Sequence, residues 1–167
     1  MLGLRAAGCL RGAAEDVISC PQGKAFAFIG FGFFKNYPKW CPQVVELEPL
    51  SPEPIEAGLM ARQVTLERGI KTESTFRISA FRPCALIAIA GVSERFNSTY
   101  ALEPADGERT KIAFSLELEE LDFAMRPFQK LIRAALQEGA AQTVENLKTL
   151  LENPAAREIR VADATGY

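Results

Sequence analysis

The longest regular pattern of apolar and polar positions in the chain is helical and lies near its C-terminal end. From Leu121 to Glu152 the sequence reads LDFAMRPFQKLIRAALQEGAAQTVENLKTLLE. Phe128, Leu131, Ile132, Ala135, Gly139, Thr143, Leu147, Leu150 and Leu151 recur at spacings of three and four, which makes one stripe of a helix. Lys130, Arg133, Gln137, Glu145 and Lys148 lie mostly off it. Pro127 suits the first turn, where its missing N–H has no intrahelical partner. Asn153-Pro154 ends the helix, because the residue before a proline is pushed out of the α region. About 26 residues at ~1.5 Å each predict a rod of roughly 39 Å. The middle of the stripe is small: Ala135, Gly139 and Thr143 stand where leucines are expected. An interior glycine costs ~1 kcal/mol relative to alanine. Two readings account for the small residues: room for a ligand, or close contact with the backbone of a strand.

Upstream, from Ile55 on, the pattern shortens and much of it changes to period two. Strands are predicted over 59–66, 72–81, 85–90, 94–102 and 110–119, separated by Arg68-Gly69, Arg82-Pro83, Gly91 and Pro104-Ala105-Asp106-Gly107. The last alternates cleanly, with Ile112, Phe114, Leu116 and Leu118 on one face and Lys111, Ser115, Glu117 and Glu119 on the other. Such alternation marks a sheet packed on one side and wet on the other. Before these, Glu15 to Cys20 reads as a first strand and Pro21 opens a short helix. Phe33 to Tyr37 make a second helical turn, Tyr37 to Pro42 a loop, and Val44 to Leu50 a strand. Residues 1–13 read as a disordered leader and 154–167 as a mobile tail. Between them, 14–153 form one α+β domain: an antiparallel meander followed by one long helix.

Composition narrows the chemistry. A chain of 167 residues with 48% hydrophobic and 24% charged residues fits one globular domain with a real core. The net charge of −2 and the lack of a basic run argue against a nucleic-acid partner. There is no histidine. That excludes Ser-His-Asp and Cys-His catalysis and removes the usual ligand of zinc and non-haem iron. No metal and no cofactor are expected. Cys9, Cys20, Cys41 and Cys84 form no CxxC pair and read as free thiols of a reducing cytoplasm. No apolar stretch approaches the ~20 residues of a membrane span.

Four pieces carry a family resemblance: Val17 to Phe28 with its strand–proline–helix start, Tyr37-Pro-Lys-Trp40-Cys-Pro42, Tyr100-Ala-Leu-Glu-Pro-Ala-Asp-Gly107 through Thr110, and Asn146-Leu-Lys-Thr-Leu-Leu-Glu152. In this order and spacing the chain resembles the START-like superfamily, also called SRPBCC, in its polyketide cyclase/dehydrase and lipid-transport branch. The resemblance covers about residues 14–153. It implies a helix-grip fold, a curved seven-stranded antiparallel sheet around the long C-terminal helix. The cavity between them holds lipids, sterols, polyketides, hormones or quinones in that family.

Candidate site residues follow from alternation and from the resemblance together. Aromatase/cyclases of the family carry a hydroxyl-x-arginine pair on a comparable strand. Carried over, this puts Thr75 and Arg77 in the pocket, where a guanidinium would stabilise an enolate. Alternation gives Phe76, Ile78 and Ala80 as the buried face instead, and a one-residue change of register decides. Arg62 shares its face with Met60, Val64 and Leu66. Facing inward, its five-donor fork would pair with a ligand carboxylate or phenolate; facing outward, it would snorkel to water. Tyr100 shares parity with Phe96, Ser98 and Leu102, as a ligand contact or as a core tyrosine with a bonded hydroxyl. The resemblance sets Tyr37 and Trp40 at the mouth; the alternative is a pair of loop anchors. Phe114, Leu131, Ala135 and Gly139 complete the expected lining, with Val64 beside Arg62. Val44 departs from the cyclase pattern, which can carry a tyrosine there. Glu117 and Glu119 read as a solvated face, and Cys41 and Cys84 have no neighbouring base.

The expected function is binding of a hydrophobic or aromatic small molecule, leaning towards a polyketide cyclase/aromatase-like biosynthetic role. The rival is a non-catalytic lipid or quinone carrier, and a third reading is a partner-binding module of the same fold. Monomer and homodimer are both open.

Overall fold

The computed structural model describes residues 9–52, 54–119, 121–153 and 155. Its strands are β1 (Leu10–Ile18), β2 (Val44–Pro49), β3 (Met60–Glu67), β4 (Ile70–Arg82), β5 (Leu86–Gly91), β6 (Phe96–Ala105) and β7 (Arg109–Leu118). They form one antiparallel sheet in the order β1-β7-β6-β5-β4-β3-β2. Between β1 and β2 the chain forms α1 (Gln22–Phe26), a wide π turn (Ala27–Phe31) and α2 (Phe33–Trp40). After β7 a 3-10 turn (Phe123–Phe128) leads into α3 (Gln129–Glu152). This is the helix-grip architecture, α+β, that the sequence led us to expect.

Strands β2 to β7 form a hairpin meander. At the β3–β4 turn Arg68 and Gly69 both have positive φ, 50° and 80°. That pairing suits the tight hairpin whose twist matches the strands. β1 and β2 are the two edges, so the chain between them must cross the sheet. It does so as α1, the π turn and α2, which lie on the sheet's inner face.

Cross-strand register shows which residues share that face. One row runs Ile78, Ile89, Ser98, Leu116, Gly12, and the next runs Ile87, Tyr100, Phe114, Ala14. Phe76 and Ala61 stand opposite each other on the same side. The register shifts between Ile78 and Ala80. A bulge places two residues against one and re-aims those that follow. The buried face therefore continues through Phe81, paired with Ile87, and not through Ala80 as simple alternation predicted. Phe81 packs there against Phe26 and Phe31.

α3 lies along β1. A Cβ on Gly12 would collide with the backbone of Leu136 and Gln137, so helix and strand touch backbone to backbone at this glycine. Beside it Gln137 clamps the open edge of β1: Ala13 N donates to Oε1 at 3.1 Å, and Nε2 donates to Ala13 O at 2.7 Å. Farther on, Lys148 meets Asp16 at 3.2 Å and Ser19 N donates to Glu152 Oε1 at 2.9 Å. From Leu136 to Glu152 the helix rises roughly 24 Å, and from Gly12 to Ser19 the strand advances roughly 23 Å. The two repeats stay in step, so one helix meets the strand edge from Ala13 to Ser19.

Several expectations change. Leu10 to Ala13, read as leader, are the first residues of β1, because their alternate positions pack under α3; residues 1–8 lie outside the described residues. The expected tail also lies outside them, apart from residue 155. Pro127 lies inside a 3-10 turn that ends at Phe128, and α3 starts at Gln129. α2 runs through to Trp40 with Pro38 inside it, where a loop was expected. Burial of Phe33, Tyr37 and Trp40, at helical spacing, overrides the proline.

Gly12→Val should lever α3 off β1. We expect a loss of about 1–3 kcal/mol, the usual range for overpacking a tight contact. Denaturant unfolding would read it as a lower midpoint at unchanged slope.

Candidate functional site

α3 presents two adjacent sides to the rest of the protein. Ala140, Val144, Leu147 and Leu151 are buried and follow Leu136 in a helical repeat. Next to them runs Phe128, Ile132, Ala135, Gly139, Thr143, Asn146 and Leu150, at spacings of three and four, so these lie on one line of the helix. The C-terminal half of that line is closed: Asn146 Nδ2 donates to Trp40 O at 3.1 Å, and Leu150 is buried. The N-terminal half is open. A Cβ on Gly139 would meet nothing within 4 Å, and Ala135 and Phe128 are exposed. The small residues leave this side of the helix uncovered along its N-terminal half. The close strand contact that could have explained them occurs at Gly12 instead.

On the sheet's inner face, near the start of β6 and the end of β7, Phe96 pairs with Leu118 and Ser98 with Leu116. A cleft of ≈ 450 Å³ lies there, lined by Ser93, Glu94, Arg95, Phe96, Leu118, Leu121, Asp122 and Met125. Farther along the inner face is an aromatic plug. Phe33 stacks on Tyr37 with ring centroids 4.7 Å apart, Trp40 meets Tyr100 at 5.9 Å, and Tyr100 meets Phe114 at 4.8 Å. Trp40 Nε1 donates to Tyr100 Oη at 3.1 Å.

The inner face is neutral. Along β5, β6 and β7 every inner-face residue is uncharged. Burial pushes the Tyr37 and Tyr100 phenols above their ordinary range and also raises the Cys41 thiol. These groups stay protonated at neutral pH and are not tuned for general acid–base work there. Farther along the inner face Gln63 Nε2 donates to Ser74 Oγ at 3.2 Å. Gln63 Oε1 is a buried acceptor without a partner among the described residues.

Of the expected site residues, Tyr37, Trp40, Tyr100 and Phe114 do come together in the plug; Tyr37 and Trp40 are buried there and not at a mouth, and Tyr100 is a core tyrosine with a bonded hydroxyl. Ala135 and Gly139 line the open side, and Leu131 sits at its outer margin, 68% exposed. Thr75 and Arg77 are turned to the outer face, opposite to the arrangement carried over from the cyclases, because Phe76 and Ile78 take the inner positions. Arg62 and Val64 are on the outer face as well, since their neighbours Ala61 and Gln63 point inward. Arg62 Nε and Nη2 donate to the two oxygens of Glu73 at 2.9 and 3.2 Å, and Nη1 donates to Glu46 at 3.1 Å. Its fork is occupied by the protein's own carboxylates, and Arg62 in turn lowers the Glu73 pKa. Sequence reasoning missed Asn146 and Gly12. Asn146 lies three residues after Thr143 on the same line, and Gly12 lies on the period-two run Leu10, Gly12, Ala14.

The outer face has a hollow of its own, ≈ 440 Å³, where Ala13, Ala101, Ala113, Thr99 and Ser115 are small. Arg11–Glu117 and Lys111–Glu15 ion pairs, at 3.3 and 3.4 Å, bridge strands near it.

The plug makes a pH prediction. The folded protein holds the protons of Tyr37 and Tyr100 more tightly than the unfolded chain, whose tyrosines titrate near ~10. Their contribution to stability is complete below that pH and is lost as pH rises beyond it. Absorbance at alkaline pH should show both phenolates appearing together with loss of the near-ultraviolet circular dichroism of Trp40, not before it.

Among solved structures, TTHA0849 from Thermus thermophilus superposes with a TM-score of 0.64 at 19% identity, covering 93% of this chain and 99% of its own. KanY protein (ms6282) superposes at 0.68 and 15% identity, covering 88% and 100%. DR_A0006 from Deinococcus radiodurans superposes at 0.59 and 14%, covering 85% and 97%. At such identities the likeness is one of fold. No curated protein sequence matches this chain significantly. The family model described as polyketide cyclase / dehydrase and lipid transport matches residues 12–152, and the chain belongs to that family.

Proposed function

We propose that this protein binds and carries a neutral, mainly apolar small molecule in the groove beside α3, without catalysing a reaction on it. One observation carries the reading. Ala135 and Gly139 leave one side of α3 open, and the inner face along β5–β7 carries no charged side chain, while Arg62, Thr75 and Arg77 lie on the other side of the sheet. An enolate-stabilising cyclase needs positive or acidic groups converging on the ligand. A carrier needs only apolar surface, a few neutral hydrogen-bonding groups and charge at the rim. Ser98 supplies a neutral group on the floor, and Glu94, Arg95 and Asp122 stand at the open end.

The family keeps a cyclase-like role as the second reading, and polyketide, quinone and lipid ligands all fit an apolar groove. Cys9, Cys20, Cys41 and Cys84 form no disulfide with one another, which supports a reducing compartment such as the cytoplasm. Among the described residues no helix is long and apolar enough to cross a membrane.

Gly139→Leu should separate binding from folding. Its side chain would enter the groove, and replacing an interior helical glycine gains ~1 kcal/mol. Displacing even two methylenes of buried ligand surface removes ~1.6 kcal/mol of binding. We expect the neutral fluorophore phenylnaphthylamine to bind about tenfold or more weakly, with Tm unchanged or higher. Unaltered probe affinity would sink the groove assignment. Arg62→Ala and Arg77→Ala should leave probe affinity as it was. If either cut it severalfold, a site on the outer face of the sheet would replace the groove.

A further inference from the structure

We propose that the corner formed by the 3-10 turn and the first turns of α3 is a docking surface for anionic lipid bilayers. The corner leaves large apolar side chains in water: Phe123 is 83% exposed, Leu131 68%, Phe128 52% and Met125 43%. Scattered exposed apolar residues are ordinary, but four on nine consecutive positions form a patch. The same segment is cationic. From Phe123 to Gln137 it carries Arg126, Lys130 and Arg133 and no acid, in a chain whose net charge is −2. Arg126 lies over the Phe123 ring, 5.4 Å from its centroid. Aromatic and aliphatic side chains with interleaved cations suit the boundary between lipid headgroups and acyl chains. Asp122 caps the 3-10 turn at the edge of this segment and also lines the neighbouring cleft with Glu94, and Glu138 follows its last residue.

Charge selects the bilayer over a second copy of the chain. In a two-fold contact the same patch meets itself, so Arg126, Lys130 and Arg133 would face their own images. Nor does the groove's own ligand cover the corner, since Phe123 is outside the lining of the cleft. Met125 belongs to both corner and cleft. A bilayer seated on the corner would therefore touch the open end of the groove, the place where an apolar ligand leaves or enters. That purpose rests on the carrier reading, whereas the docking does not.

Co-sedimentation with vesicles tests it. The full chain should pellet with vesicles of phosphatidylcholine doped with phosphatidylglycerol and stay in solution with phosphatidylcholine alone. Each juxtamembrane cation contributes ~1 kcal/mol at an anionic surface, about fivefold in partitioning. Arg126→Gln and Lys130→Gln together should weaken binding by roughly 25-fold, and raising salt should weaken the unaltered protein. Phe123→Glu should abolish pelleting. Both variants should still bind phenylnaphthylamine in vesicle-free buffer. Equal pelleting with both vesicle types, or wild-type pelleting of Phe123→Glu, overturns the proposal. So does a dimer of the free protein that Phe123→Glu dissociates. Loss of probe binding in the unaltered protein, with vesicle binding intact, would instead count against the carrier reading alone.

Discussion

The backbone contact between Gly12 and Leu136 sets the geometry of this protein. A strand at the edge of a sheet exposes a row of unpaired donors and acceptors, and native proteins cover such edges. Here α3 does so with side chains, Gln137 taking both Ala13 groups and Glu152 taking Ser19 N. These bonds are short only because the helix backbone sits directly on β1, and it sits there only because residue 12 has no Cβ. Once that contact is fixed, the matched rise of helix and strand fixes the rest of α3. Its far end meets Trp40 through Asn146, and the segment before its near end lines a cleft with the start of β6 and the end of β7.

The two halves of α3 differ in what they bury. The C-terminal half buries Ala140, Val144, Leu147, Leu150 and Leu151 and contributes to the core. Burying a large aliphatic side chain stabilises by about 1.5–3 kcal/mol, so this half holds the helix on the sheet. The N-terminal half buries little. The line through Asn146 is trimmed there to Ala135 and Gly139, and the turn before it and its first residues leave Phe123, Phe128 and Leu131 in water. A protein gains no stability from such an arrangement. It makes sense when the open side receives another molecule, which is also what membership of a polyketide cyclase/dehydrase and lipid-transport family suggests.

The placement of charge follows the same logic. Moving a guanidinium or carboxylate into an apolar interior is expensive unless it is paired and hydrogen-bonded. Arg62 is paired, but on the outer face, across the strands with Glu46 and Glu73. The inner face keeps polar groups that are neutral and largely bonded to one another, such as Trp40 with Tyr100 and Gln63 with Ser74. Such a lining favours holding a neutral ligand over stabilising a charged intermediate.

The sequence by itself determined the architecture. The three-and-four stripe from Phe128 to Leu151, the alternation of 110–119 and the turn dipeptides between short strands are local signals, and local signals specify elements. Four motifs in order were enough for the family. The inner face of β6 and β7 was legible too, because Ile112, Phe114, Tyr100 and Leu102 alternate without interruption. What only the tertiary structure decided was position and rotation. The bulge between Ile78 and Ala80 breaks the period-two rule within β4, and pairing with β3 and β5 turns Arg77 outward. The helix stripe spans two neighbouring sides, and which of them lies on the sheet depends on the distant Gly12, a residue whose importance is the absence of a side chain. A missing Cβ leaves no hydrophobic signature in a sequence. Its effect appears only when another backbone comes to occupy the space.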